Sequence, residues 1–200
     1  MKNSRTGLIV VSAFIFFACH HASNPAGAGI SKNADTAEKK NFFPIRDFLK
    51  SEIAYVDSTP LKMTEYRIRN GKTDSSIIKI QEFDRLASAF MLDDLDSARF
   101  EKRFDETSFL DQGTQMLTFT YSTKDSSFGL RRVDVLAEPH LANNRVKSIY
   151  LEVSSGNEDS LLLKKMYWRS KKSFSILQIY QPKPGEAITS QTKVVWDSSE

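Results

Sequence analysis

The sequence predicts an α+β domain: a curved antiparallel sheet, built from an N-terminal hairpin and a six-strand meander, with helices packed on one face. Three observations carry that expectation. Apolar residues repeat at three- and four-residue spacing only early in the domain, over 45–56 and again over 83–104. From residue 115 onward the chain becomes short apolar runs of strand length, separated by links rich in Ser, Asp, Asn, Gly and Pro. Those links are too short for the crossover helices that parallel neighbours need, so consecutive strands pair antiparallel.

Pro44 suits the first turn of a helix, where its missing N–H leaves nothing unsatisfied. Ile45, Phe48, Leu49, Ile53 and Val56 then form one apolar stripe, which places Arg46, Lys50 and Glu52 on the water side. The helix stops at Asp57-Ser58-Thr59-Pro60. Residues 61–69 and 75–81 flank Asn70-Gly71, a dipeptide that two-residue hairpins favour because both positions take positive φ. A second helix carries Phe83, Leu86, Ala87 and Phe90 on one stripe, and a shorter one spans 97–104, with Asp96 as its cap and Phe100 beside Phe104. Six strands complete the domain, over 115–122, 130–137, 145–153, 161–168, 174–181 and 188–196. The first of them alternates Leu117, Phe119 and Tyr121 with Thr118, Thr120 and Ser122, as a sheet with one buried face requires.

Two of the strands are apolar on both sides. Leu161, Leu163 and Tyr167 oppose Leu162, Met166 and Trp168, and Leu177 and Ile179 oppose Phe174, Ile176 and Tyr180. Such a strand is either covered twice or leaves an apolar patch open. One expectation is a filled core. The other is an apolar groove of Leu162, Met166, Tyr167, Trp168 and Leu177 for an acyl chain or a partner. The filled core is preferred, because a chain of this size buries only around 70% of its unfolded surface and has little apolar area to spare.

The amino terminus speaks to location. With 40% hydrophobic and 26% charged residues over 200 positions, the chain is neither a multi-span membrane protein nor wholly disordered. Lys2 and Arg5 precede an uncharged stretch of 12 residues, GLIVVSAFIFFA, too short to cross a bilayer as a helix and of the length of a signal h-region. It runs into Phe17-Ala18-Cys19, and Cys19 is the single cysteine. These residues resemble the lipobox of bacterial lipoproteins, in which a small residue precedes a cysteine that is lipidated and becomes the new first residue. Ala18 matches the pattern, whereas Phe16 stands where the family prefers Leu. The resemblance implies a signal peptide over 1–18 and a fatty-acyl (palmitate) anchor on Cys19 in the cell envelope. In that family an Asp after the cysteine goes with the inner membrane; His20 here implies the outer membrane, facing the periplasm. Residues 19–41 show no apolar periodicity and read as a flexible tether, with His20-His21 a linker dipeptide rather than a metal site. The globular domain is 42–200.

Loss of Lys2 and Arg5 with the signal lowers the net charge from +3 to +1, so the apparent basicity belongs to the signal and gives no argument for nucleic acid. No Gly-x-Ser-x-Gly, phosphate-binding glycine loop or His-Glu-x-x-His is present. His140 is the one histidine beyond the tether and has no nucleophile beside it, while Asp93, Asp94 and Asp96 lack the glycine and glutamate of a calcium loop. No catalytic residue, metal or cofactor is expected. One charge pattern stands out: alternate turns of a meander share an end, which brings Arg145 and Lys147 near Arg169, Lys171 and Lys172, a positive end suited to anionic headgroups or an acidic partner. The sequence thus points to a lipid-anchored envelope protein with a non-catalytic binding or structural domain, whose partners are the membrane and an envelope protein. The alternatives are a carrier or sensor of a hydrophobic ligand on the concave face, and a carboxylate-dependent enzyme on envelope polymers.

Overall fold

Asn70 and Gly71 take φ of 49° and 73°, and the chain reverses there so that β1 (Met63–Arg69) lies antiparallel on β2 (Lys72–Ile78), with Arg69 opposite Lys72. Positive φ at both central residues is the hairpin geometry that matches strand twist, and glycine adopts it at no steric cost. The computed structural model describes residues 42–140 and 144–197. Residues 1–41, where the sequence leads one to expect the signal peptide, Cys19 and the tether, lie outside them.

Before the hairpin comes α1 (Ile45–Asp57), with Pro44 just ahead of its first turn. After it come α2 (Ile80–Ala87), single 3-10 turns at Ser88–Phe90 and Asp93–Leu95, and α3 (Ser97–Arg103). Asp96 holds the position ahead of α3, but its side chain makes no capping bond; its carbonyl accepts the Phe100 N–H at 2.8 Å instead. The meander then has seven strands where six were expected: β3 (Asp105–Asp111), β4 (Met116–Ser122), β5 (Leu130–Glu138), β6 (Arg145–Gly156), β7 (Ser160–Arg169), β8 (Ser173–Pro182) and β9 (Ile188–Val195). The additional strand, β3, reads DETSFLD and is exposed almost throughout, so it has no apolar alternation to reveal it. Asp111 Oδ1 accepts the N–H groups of Gly113 (2.8 Å) and Thr114 (3.3 Å), and this side-chain turn starts the reversal into β4.

The hairpin joins the meander through β1 and β9, paired from Thr64↔Val195 to Arg69↔Ser190. One open antiparallel sheet of nine strands results, ordered β2-β1-β9-β8-β7-β6-β5-β4-β3. Its core lies between one face and the helices. Trp168 and Phe174 stack at 5.3 Å, and Phe83 of α2, Phe90 and Trp196 close around them at 5.1–6.5 Å. A second aromatic group gathers Phe42, Phe100, Phe104 and Tyr121 under α3.

Two expectations for α1 are corrected by this packing. Glu52 does not face water. It is 5% exposed and accepts three hydrogen bonds: from Trp168 Nε1–H (3.1 Å) and the Lys171 backbone N–H (2.7 Å) on Oε2, and from Ser170 Oγ–H (2.9 Å) on Oε1. The buried stripe is therefore Ile45, Leu49, Glu52 and Val56, while Phe48 and Ile53 sit half-buried at its margins, Phe48 against Phe43 at 5.9 Å. Truncating the wholly buried Leu49 to Ala is expected to destabilise the domain by about 2–5 kcal/mol, and Phe48→Ala by less than that. Denaturant midpoints of the two variants check the order; a larger loss at Phe48 would contradict this placement of α1.

Candidate functional site

Directly paired residues of neighbouring strands point to the same side, so the register sorts the whole sheet into two faces. The helix-covered face carries Tyr121, Val133, Val135, Ile149, Leu151, Met166, Trp168, Phe174 and Val194, all buried. The opposite face has no helix on it among the described residues. Across it, in direct register, run Tyr66, Lys193, Ser175, Tyr167 and Tyr150, and the next row holds Ile68, Gln191, Leu177, Lys165 and Glu152. Five adjacent strands contribute, so Tyr66 and Tyr150 stand about 19 Å apart at roughly 4.8 Å per strand. Tyr66 and Tyr167 are 36% and 39% exposed, and Ile179 and Leu163 extend the surface on the same side.

The five residues predicted to form an apolar groove do not share a face. Leu162, Met166 and Trp168 point to the helices, with Met166 and Trp168 inside the core, while Tyr167 and Leu177 are on the open side. The sheet itself separates the two sets. Recesses of about 860 Å³ beside the start of α1 and about 810 Å³ beyond α2 are lined by neither Met166 nor Trp168.

The five predicted cations lie at one end of the sheet, on different elements and with different partners. The Ser170 N–H donates to the Lys147 carbonyl at 2.9 Å, which ties the β7–β8 turn to the start of β6 and puts Arg145, Lys147, Arg169, Lys171 and Lys172 at one end of the sheet. Two carboxylates that sequence reasoning did not place there come with them. Glu138 Oε2 lies 2.7 Å from Lys147 Nζ and 3.9 Å from Arg145, and the Lys147 ammonium holds the Glu138 carboxyl below its usual range. Glu52 takes the Lys171 backbone, and the Lys171 ammonium sits 5.2 Å from the Tyr55 ring. His140 is exposed in the loop after β5, and no three His, Cys, Asp or Glu side chains gather to hold a metal among the described residues.

The open face is thus an aromatic and aliphatic surface threaded with hydroxyls and charges. At its β4–β6 end the polar groups bind one another: Tyr150 Oη–H donates to Glu152 Oε2 (2.9 Å), and Thr120 Oγ1–H and Arg132 Nε–H both donate to Asp134 (2.8 and 2.9 Å). Toward β1 no such ties fix Lys165 and Lys193, which form no ion pair among the described residues. Tyr66, Tyr150 and the row they frame escaped the sequence reading, since β1 joins the same sheet face as β6 only through the β1–β9 pairing. Set against family models, curated proteins and solved structures, the chain has no match. No described helix is long and apolar enough to cross a membrane.

Burial first, and then the hydrogen bond and negative charge of Glu152, push the Tyr150 hydroxyl up to about 12. The unfolded chain releases that proton near 10, so above pH 10 it binds fewer protons than the native state and stability falls with rising pH. Tyr150→Phe is expected to flatten the loss of stability between about pH 10 and 12, as read by denaturant titrations at each pH. An unchanged slope would mean that Tyr150 is not held neutral by the fold.

Proposed function

We propose that this chain is a lipid-anchored protein of the bacterial cell envelope whose domain is a non-catalytic binding module, tethered through Cys19 and engaging a protein partner with the open face of its sheet. The observation that carries the binding reading is the asymmetry of the sheet. One face is filled by Trp168, Phe174, Phe83 and Phe90, and the other presents Tyr66, Tyr150, Tyr167, Leu177 and Ile179 with no helix over them among the described residues. Tyrosine supplies large contact area at small entropic cost and keeps a polar tip for water, a combination suited to surfaces that are wet when free and buried when bound. The helix-side core supports a binder over a carrier of hydrophobic ligands, because Met166 and Trp168 are buried and Trp168 is packed against Phe174, Phe83 and Phe90. Ala18-Cys19 after a signal-like h-region supports the anchor, and the tether from 19 to 41 gives the domain reach from the membrane.

Photo-crosslinking in intact cells tests both halves together. A photoreactive residue at Tyr167 or Leu177 is expected to give discrete high-mass adducts, and one at Arg99, on the exposed side of α3, none. Cys19→Ser is expected to abolish incorporation of labelled fatty acid and to remove those adducts from the membrane fraction. Equal adducts from Arg99 would sink the open-face reading. Fatty-acid labelling that persists in Cys19→Ser would sink the anchor.

A further inference from the structure

On the helix-covered face the core ends where α2 ends, but β1, β9 and β8 run on past it. Register there sets Gln178, Ser190, Arg69 and Lys72 side by side across four strands, with Thr192 and Arg67 in the row beneath. These residues floor the recess of about 810 Å³, and Arg85 and Leu86 of α2 wall it. The volume falls within the roughly 300–1,000 Å³ of small-molecule sites.

The cations of this recess are in two different states. Arg67 lies flat along β1, its Nε–H and Nη2–H donating to Oε1 and Oε2 of Glu65 at 2.7 Å each. Glu65 is 1% exposed, and a carboxylate so buried is costly unless donors meet both its oxygens, as the Arg67 fork does here. Arg85 grips Glu82 in the same two-pronged way at 2.8 and 2.6 Å. Those two pairs stiffen the wall and floor, and they neutralise each other. Arg69 and Lys72, facing one another beside the Asn70-Gly71 turn, form no ion pair among the described residues. The remaining acid, Asp74, has its carboxylate engaged by the Ser75 N–H at 2.9 Å. A net positive charge is left, next to an amide and two hydroxyls.

We propose that this recess binds a polyhydroxylated anion of mono- to disaccharide size, a sugar bearing a phosphate or a carboxylate. The guanidinium fork of Arg69 and the ammonium of Lys72 match the anionic oxygens. Ser190, Thr192 and Gln178 each donate and accept, as ring hydroxyls do, and Leu86 offers an apolar flank to the C–H face of a ring. A hydrocarbon chain would strand the polar floor, and a nucleic acid would need a longer basic track than one hairpin end. The site lies on the opposite side of β1, β8 and β9 from the open face, so it stands independently of the protein-binding reading.

Calorimetric titration of the full chain in detergent tests it, with glucose 6-phosphate and glucuronate as probes and glucose and inorganic phosphate as controls. Saturable binding of at least one sugar anion is expected, roughly tenfold or more tighter than either control. Arg69→Ala and Lys72→Ala should each weaken it with no change in melting temperature, and Ser190→Ala should weaken the sugar anion while leaving inorganic phosphate unaffected. Lys124→Ala, in the exposed loop after β4 and remote from the recess, should leave this binding unchanged. The tighter of the two sugar anions identifies the charged group. Inorganic phosphate binding as tightly as the sugar anions, or no saturable binding of either, overturns the proposal.

Discussion

Glu52 is placed so that one carboxylate gathers the indole N–H of Trp168, the hydroxyl of Ser170 and the backbone N–H of Lys171, and much of the domain is organised around that arrangement. A carboxylate this deep is costly unless its oxygens are met by donors. The donors come from β7 and the β7–β8 turn, more than a hundred residues away in sequence. Helix α1 therefore packs in one position relative to the sheet, the one in which the turn reaches it. Lys171 holds φ at 57°, uncommon for a residue with a Cβ, and there its N–H points at Glu52. Trp168, oriented by its indole bond, then serves as the flat wall on which Phe174 stacks and against which Phe83, Phe90 and Trp196 pack.

That arrangement also explains why the two faces of the sheet differ so sharply although β7 and β8 are apolar on both. The helices are few and short, and all of them are committed to the side where Glu52 meets Trp168. Among the described residues no helix covers Tyr167, Leu177 and Ile179, so a strand pair with the composition of a twice-buried core shows half of it to solvent. Serines and threonines alternate with the tyrosines on that side, and Lys165 and Lys193 break up the aliphatic area, which keeps an uncovered sheet wettable while leaving it able to be buried against a partner. At the far end, beyond α2, the same shortage of helix leaves the charged rows of β1, β8 and β9 uncovered on the packed face.

Local chemistry was readable in advance. Asn70-Gly71 gave the hairpin, Pro44 the start of α1, and the run from Leu117 to Ser122 the strand β4, although only Tyr121 of it is buried. What escaped depends on distant partners. Glu52 looks like a water-facing helix residue until its three donors arrive from the β7–β8 turn. Glu138 looks like the end of a strand until Lys147 folds back onto it. Strand β3 is an edge, paired on one side only, so its exposed charges match no burial pattern. The double apolarity of β7 and β8 announced that a surface required explanation. Whether it became a groove or an open face was decided by where the helices lie, which no spacing within those strands records.

The burial of Glu52 and its hold on Trp168 and Lys171 fix α1 on the sheet, and hydrogen exchange at those two N–H groups reports on that hold. The Trp168 indole N–H and the Lys171 backbone N–H are expected to exchange only when the whole domain unfolds, as slowly as the amides of β6 and β7. The turn amide of Gly71, with no such partner, should exchange orders of magnitude faster. Exchange of Lys171 and the Trp168 indole at the rate of Gly71 would contradict this placement of α1, because it would show the β7–β8 turn open to water with the helix resting elsewhere.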